Sequence, residues 1–283
     1  MWIYYLKFFV FIKNNIGITV LNLSFFSWGN MVFLEPRSST FTIGEKTLTY
    51  YRVYINTRNQ GGNSNLILAT PEVFSFGLAS NKDEDAQKQE KYSLCLCLRN
   101  KNEPTPEQEE FVKTLKKIID KCIEHFMQIR KTVKKLDTTE PELRKVKEGI
   151  SPLCFTVDDD GQIKNGPTLY AKLITKNPDK SKDQTTPQII SKFYDANDVD
   201  VSGKERVLAN PLDLLNKKCY VRAALKIESI FIGAKIRIQV KLHEALVSVI
   251  SSEPERLLLS SASNTQKRNV EEEYNDDDRL SIS

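Results

Sequence analysis

A strict alternation of residue types near the carboxyl end constrains this chain more than any other feature. Within residues 235–247, Ile236, Ile238, Val240 and Leu242 take every second position, and Lys235, Arg237, Gln239, Lys241 and His243 take those between. Successive side chains of a strand point to opposite faces, so this period predicts a β-strand with one buried and one cationic face. Residues 219–230 precede it as a second long strand, adding Tyr220, Arg222 and Lys226. The two are joined at Phe231-Ile232-Gly233-Ala234. A lone pair of strands cannot bury its apolar face, so the remaining chain has to supply more sheet.

It does. From Lys46 the sequence alternates again, with Leu48, Tyr50, Arg52 and Tyr54 against Thr49, Tyr51, Val53 and Ile55, as far as the turn cluster Asn59-Gln60-Gly61-Gly62-Asn63. Residues 65–69 read as the returning strand of that hairpin, halted by Pro71, and 91–99 as a third strand. Residues 153–157 and 168–174 flank the acidic turn Asp158-Asp159-Asp160-Gly161, and 188–194 form another short strand. One helix interrupts this pattern. Thr105 is its N-cap, Pro106 suits the first position and Gln108 completes a capping box. Phe111, Leu115, Ile118, Cys122 and Ile129 form its apolar stripe, widened by Ile119, Ile123, Phe126 and Met127. The helix is expected to stop near Leu136, with a shorter one over 140–147 and another short helix opening at Asn210-Pro211. About eight strands broken by one long helix predict a mainly β (α+β) chain, a small barrel with a helical insertion at 105–148.

Length allows one large domain or two small ones. The folded domain is expected over 31–250, followed by a disordered tail over 251–283 rich in Ser, Asn, Glu and Asp. That tail holds Glu271, Glu272, Glu273, Asp276, Asp277 and Asp278 against Arg279 alone. The whole chain still carries +4, so the body is more basic than the total suggests, which favours a polyanionic partner. Residues 1–30 are the most aromatic and least charged stretch, but Lys7 and Lys13-Asn14-Asn15 leave no span of transmembrane length. They also lack a signal-peptide pattern. The expectation is that synthesis starts at Met31; a membrane-interface segment or an extra hairpin are the other readings.

Five cysteines (Cys95, Cys97, Cys122, Cys154, Cys219), odd in number and without a C-x-x-C pair, predict reduced thiols inside a cell. With His125 and His243 as the only histidines, ligands for zinc are few and scattered, and no metal is expected. Cys95 and Cys97 read as small apolar strand residues. Gly44-Glu45-Lys46-Thr47 lacks the adjacent Gly and Lys of a phosphate-binding loop, and residues 158–161 lack the outer ligands of a calcium loop. Neither G-x-S-x-G nor H-E-x-x-H occurs, so a binding protein is favoured over an enzyme. The positive signal is basic and aromatic residues interleaved on strands, the composition of a groove for single-stranded nucleic acid. Arg222, Lys226, Lys235, Arg237 and Lys241 are the phosphate candidates, with Arg52, Lys172 and Lys192 beside them. Tyr50, Tyr54, Tyr170, Phe193 and Tyr194 are the stacking candidates, with Tyr220 adjoining. The alternative is a non-catalytic interaction or virion scaffold protein whose basic face meets acidic protein. A nuclease with carboxylates assembled in space is a third.

Three segments carry a resemblance. "CYVRAALKIESIFIGAKIRIQVKLHEA" (219–245), "GPTLYAKLI" (166–174) and "ATPEVFSFG" (69–77), with "KYSLCLCL" before the long helix, resemble single-stranded DNA-binding proteins of large eukaryotic DNA viruses, related to those of T-odd phages. The likeness covers roughly residues 48–248. It implies an OB-fold barrel with extra strands, no cofactor, and a role in viral DNA replication, recombination and repair. The expected location is intracellular, in host cytoplasm at the viral replication site or in the host nucleus, with packaging in the virion as a further option; no membrane partner is expected, and the sequence leaves open whether copies self-associate. The phage relatives end in an acidic tail that competes with DNA and docks replication enzymes, here the viral DNA polymerase and helicase-primase. The acidic run 271–278 matches, whereas the ending Leu280-Ser281-Ile282-Ser283 lacks the family's terminal aromatic.

Overall fold

The computed structural model describes residues 20–21, 28–43, 45–59, 62–81, 91–100, 103–146, 148–157, 163–176, 188–199, 205–208 and 210–250. The acidic run, the turn at 158–161 and most of residues 1–30 lie outside them. In chain order the first strands are β1 (Val20–Leu21), β2 (Met31–Phe33), β3 (Arg37–Ile43), β4 (Lys46–Asn59), β5 (Gly62–Asn65), β6 (Ile67–Ala69), β7 (Val73–Asn81) and β8 (Lys91–Cys97). Helices α1 (Pro106–Ile129) and α2 (Glu140–Leu143) follow. The chain then forms β9 (Leu153–Val157), β10 (Ile163–Leu173), β11 (Thr175–Lys176), β12 (Gln188–Ile189), β13 (Lys192–Val199) and β14 (Glu205–Val207). A 3-10 turn capped by Asn210 leads into β15 (Cys219–Ile232) and β16 (Ile236–Val249).

Five of these strands close on themselves. β7 pairs with β8, β8 with β10, β10 with β16, β16 with β15, and β15 with β7 again, so the chain is mainly β and contains a closed five-strand barrel. Closure leaves these strands without the long free edges that invite association. The β15–β16 hairpin is its longest pairing, and alternation divides it as the sequence requires: Ile236, Ile238, Val240 and Leu242 are buried, and Arg237, Gln239 and Lys241 stand on the outer face. Leu94, Leu96, Leu169, Ala171, Val221 and Leu225 join the inner residues in one core.

Helix α1 packs on that core through Phe111, Val112, Leu115, Ile118, Cys122, Ile123 and Phe126, each at most 2% exposed. Burying a side chain of that size contributes about 1.5–3 kcal/mol. The capping box forms as read, with Gln108 N donating to Thr105 Oγ1 at 3.3 Å and Thr105 N to Gln108 Oε1 at 3.2 Å. Gln108 Nε2 also donates to Glu72 O and Asn100 Oδ1, tying the helix start to the strands on either side. Near the other end His125 stacks on Phe33 at 4.1 Å.

Several boundaries differ from the sequence expectation. α1 ends at Ile129 rather than near Leu136, and α2 is one turn long. Residues 65–69 do not complete a hairpin: β5 returns along β4, but β6 leaves it to pair with β15. β7, a barrel strand, was not anticipated, because Val73–Asn81 is apolar on both faces and so lacks a period of two. Its outer residues Phe74 and Phe76 join Cys95 and Cys97 in a second, smaller apolar cluster. β7 also bulges between Ser75 and Gly77, where φ is +79° and a Cβ would collide with the Leu214 carbonyl, so glycine is required.

Candidate nucleic-acid interface

Three lysines from three strands meet in one row on the outside of the barrel. Lys226 of β15 lies opposite Lys241 of β16, and Lys172 of β10 is in register with Lys241 on its other side. Like charges directly opposite on a sheet repel, so something must hold the row together. That group is Glu228, which sits at the bulge between Ile227 and Ser229 and is 7% exposed. Its Oε1 accepts Lys241 Nζ at 2.9 Å and lies 3.8 Å from Lys226 Nζ, while its buried Oε2 has no hydrogen-bond partner. One carboxylate cannot neutralise all the cations around it. The Lys172 ammonium is partly desolvated although the side chain as a whole is exposed. That burial, then the positive charges of Lys91 and Lys241, and also Arg52, hold its pKa below the ordinary lysine value, with Glu228 opposing them.

A second row adjoins the first. Arg37 of β3, Arg52 of β4, Phe231 of β15 and Arg237 of β16 are successive cross-strand partners. The Arg37 and Arg52 guanidinium groups lie 5.5 and 5.9 Å from the centre of the Tyr54 ring, and the Tyr50 and Phe231 rings are 5.2 Å apart. Arg237 Nη1 donates to the Gly149 carbonyl, which fixes that guanidinium at the barrel's end. Arg52 Nε is buried without a partner.

The predicted residues therefore divide. Arg52, Tyr50, Tyr54, Lys172, Lys226, Arg237 and Lys241 form one continuous strip of cations and rings. Tyr170 is two residues from Lys172 on the same face of β10, but it packs with Tyr220 against the second apolar cluster. Burial there raises the Tyr170 hydroxyl pKa, reinforced by Cys95. Phe193 is 0% exposed in the main core, so it is no stacking platform; alternation on β13 turns it inward, opposite Ala245. Lys192 and Tyr194 flank it, opposite Glu244 and Leu246. Arg222 lies across Leu246 from Tyr194, which makes this a separate patch. Lys235 is at the hairpin turn, 3.2 Å from Glu148. Among the described residues no three His, Cys, Asp or Glu side chains converge as metal ligands, and no helix is long and apolar enough to cross a membrane.

Sequence reasoning missed Arg37, Lys91, Glu228 and Phe231. For Glu228 the signal was a break in the alternation, the adjacent polar pair Glu228-Ser229 between Ile227 and Ile230, where the structure has its bulge. For Phe231 the turn assignment concealed that β15 continues to Ile232.

Residues 31–281 match a protein family described as "Protein of unknown function (DUF2738)". The chain is similar to "Uncharacterized protein 007R" of Invertebrate iridescent virus 3, 29% identical over 124 residues, which are 42% of this chain and 25% of that protein. It is also similar to the "Early 31 kDa protein" of Frog virus 3 (isolate Goorha), 30% identical over 201 residues, 68% of this chain and 67% of the relative. The chain thus spans a quarter of the first relative and two thirds of the second.

Proposed function

The chain belongs to the DUF2738 family of proteins of unknown function, and from its own surface we propose that it binds single-stranded DNA, with little regard to sequence, during viral DNA replication, recombination and repair. The observation that carries this reading is the row Lys172–Lys241–Lys226, whose positive charge exceeds what Glu228 can balance and which adjoins aromatic rings. Cations for phosphates beside rings for bases are what a sequence-tolerant single-strand binder needs.

The barrel supports the same reading. Numbered along the chain, its strands run around the barrel as first, second, third, fifth and fourth, with third and fifth (β10 and β16) parallel. We take this Greek-key order as an OB-fold, in which oligonucleotides lie on the second and third strands and against the turn between fourth and fifth. Lys172 is on the third strand, and the turn at Gly233 lies beside the Arg52–Phe231–Arg237 row. The resemblance to viral single-stranded DNA-binding proteins points the same way. In this reading the protein has no catalytic step and needs no cofactor. Its acidic residues 271–278 compete with DNA for the strip and, once displaced, dock the viral polymerase and helicase-primase, inside the infected cell where viral DNA is copied.

Titration of a labelled oligothymidylate by fluorescence anisotropy across a salt series tests it. Affinity should fall with salt at a log–log slope of about −0.7 for each neutralised phosphate, and duplex of equal length should bind more weakly. A salt-independent affinity, or equal affinity for duplex, overturns the proposal. Capture of an acidic polypeptide without DNA binding favours the scaffold alternative, and magnesium-dependent loss of the oligonucleotide favours a nuclease.

A further inference from the structure

A two-stranded ribbon extends from the barrel beside the cationic strip. β4 pairs with β15 through residues 51–54, so among the described residues 46–50 have β3 as their strand neighbour. Such a ribbon is marginal in water by itself, and apolar side chains exposed on it are a liability unless something covers them. Phe41 and Leu48 face each other across this ladder, 42% and 45% exposed. Their face continues to the barrel: Phe41 is 5.9 Å from Tyr50, ring to ring, and Tyr50 is 5.2 Å from Phe231. The other face carries Thr40, Thr42, Thr47 and Thr49.

We propose that this ribbon is a second binding surface, on which bases of the same single strand stack as it leaves the barrel. The inference rests on the function proposed above and names a contact surface beyond the barrel. Charge identifies the occupant. The rings come with Arg37 and Arg52 at the base of the ribbon, next to Arg237. A second copy of the chain would bring those arginines against their own kind, whereas a polyanion with flat apolar bases meets both features. The ring spacings also set the mode. Inserting a base between two rings needs about 7 Å, twice the stacking rise of about 3.4 Å, which exceeds both distances. Bases therefore lie on the outer surface of the strip, whose three rings, Phe231, Tyr50 and Phe41, span at most about 11 Å and offer one platform each.

The test uses the full chain and oligothymidylates of increasing length. F41A combined with L48T should weaken binding about five- to a hundredfold and shorten by about one nucleotide, the platform that Phe41 supplies, the length at which affinity stops rising. F41Y, which keeps the ring, should restore both values, and T40S with T49S, on the other face, should change neither. Unchanged affinity and unchanged length threshold in F41A/L48T, with the unaltered chain binding normally, overturn the ribbon as a DNA surface. A change in self-association by sedimentation without a change in DNA binding also overturns it and assigns the face to a second copy. Failure of the unaltered chain to bind any oligothymidylate refutes the proposed function itself, and the ribbon proposal with it.

Discussion

Replacing Lys241 by Gln separates the binding role of the cationic strip from its structural role. Lys241 lies between its two neighbours in the lysine row and holds Glu228 at 2.9 Å. As a phosphate contact, it contributes about 0.7 to the log–log salt slope. Taken from about 1 M salt, where little attraction remains, down to about 0.15 M, that slope amounts to about 0.6 log units, a fourfold affinity loss or ~0.8 kcal/mol. The structural cost is separate. Glu228 is 7% exposed, and without Lys241 its remaining ion-pair neighbour is Lys226 at 3.8 Å. Stranding a buried carboxylate costs about 3–5 kcal/mol when it loses its sole partner. With Lys226 still present, a loss of about 1–3 kcal/mol of stability is expected. The double variant Lys241→Gln/Glu228→Gln removes the stranded charge, so urea denaturation should show stability recovered while the salt slope stays shallow. A Lys241→Gln chain that binds more weakly with an unchanged slope would show that Lys241 supports the fold and contacts no phosphate.

Three further outcomes follow from the same structure. Phe193→Ala should destabilise by about 3–5 kcal/mol through the cavity it leaves, measured by denaturant midpoint, and affect DNA binding only as far as the protein unfolds. Burial raises the Cys122 thiol far above its ordinary pKa and pushes Cys219 up to about 12, so both stay protonated at neutral pH; mass spectrometry after alkylation should find them protected until denaturant is added, with half-buried Cys154 labelled first. Deleting residues 271–283 should tighten single-strand binding, most at low salt where an acidic competitor is held best, and an anisotropy series showing no change at any salt concentration would end the competitor idea.

What was legible in the sequence is what a local pattern encodes. The β15–β16 alternation, the Thr105–Gln108 cap and the apolar stripe of α1 all appear where the residues placed them, because each depends on neighbours within a few positions. β7 was not legible, since a strand covered on both faces loses its period of two and resembles any short apolar run. Tyr50, Phe193 and Tyr194 read alike in sequence, as aromatics on strands beside polar residues. The structure buries Phe193 completely and leaves the other two half-exposed, a difference of one position in register.

By itself, then, the sequence determined that the chain would be mainly β, that one long capped helix would interrupt it, and that β16 would carry cations on one face. Tertiary structure alone decided which cations meet. Lys172, Lys226 and Lys241 come together because β10 runs parallel to β16 while β15 runs antiparallel to it, and pairing partners lie far apart in the chain. The Glu228 bulge that holds them, the Arg37–Arg52–Phe231–Arg237 row and the ring strip leading onto β3 all arise from cross-strand register. Register is fixed when a barrel closes around its core, and no single strand contains that information.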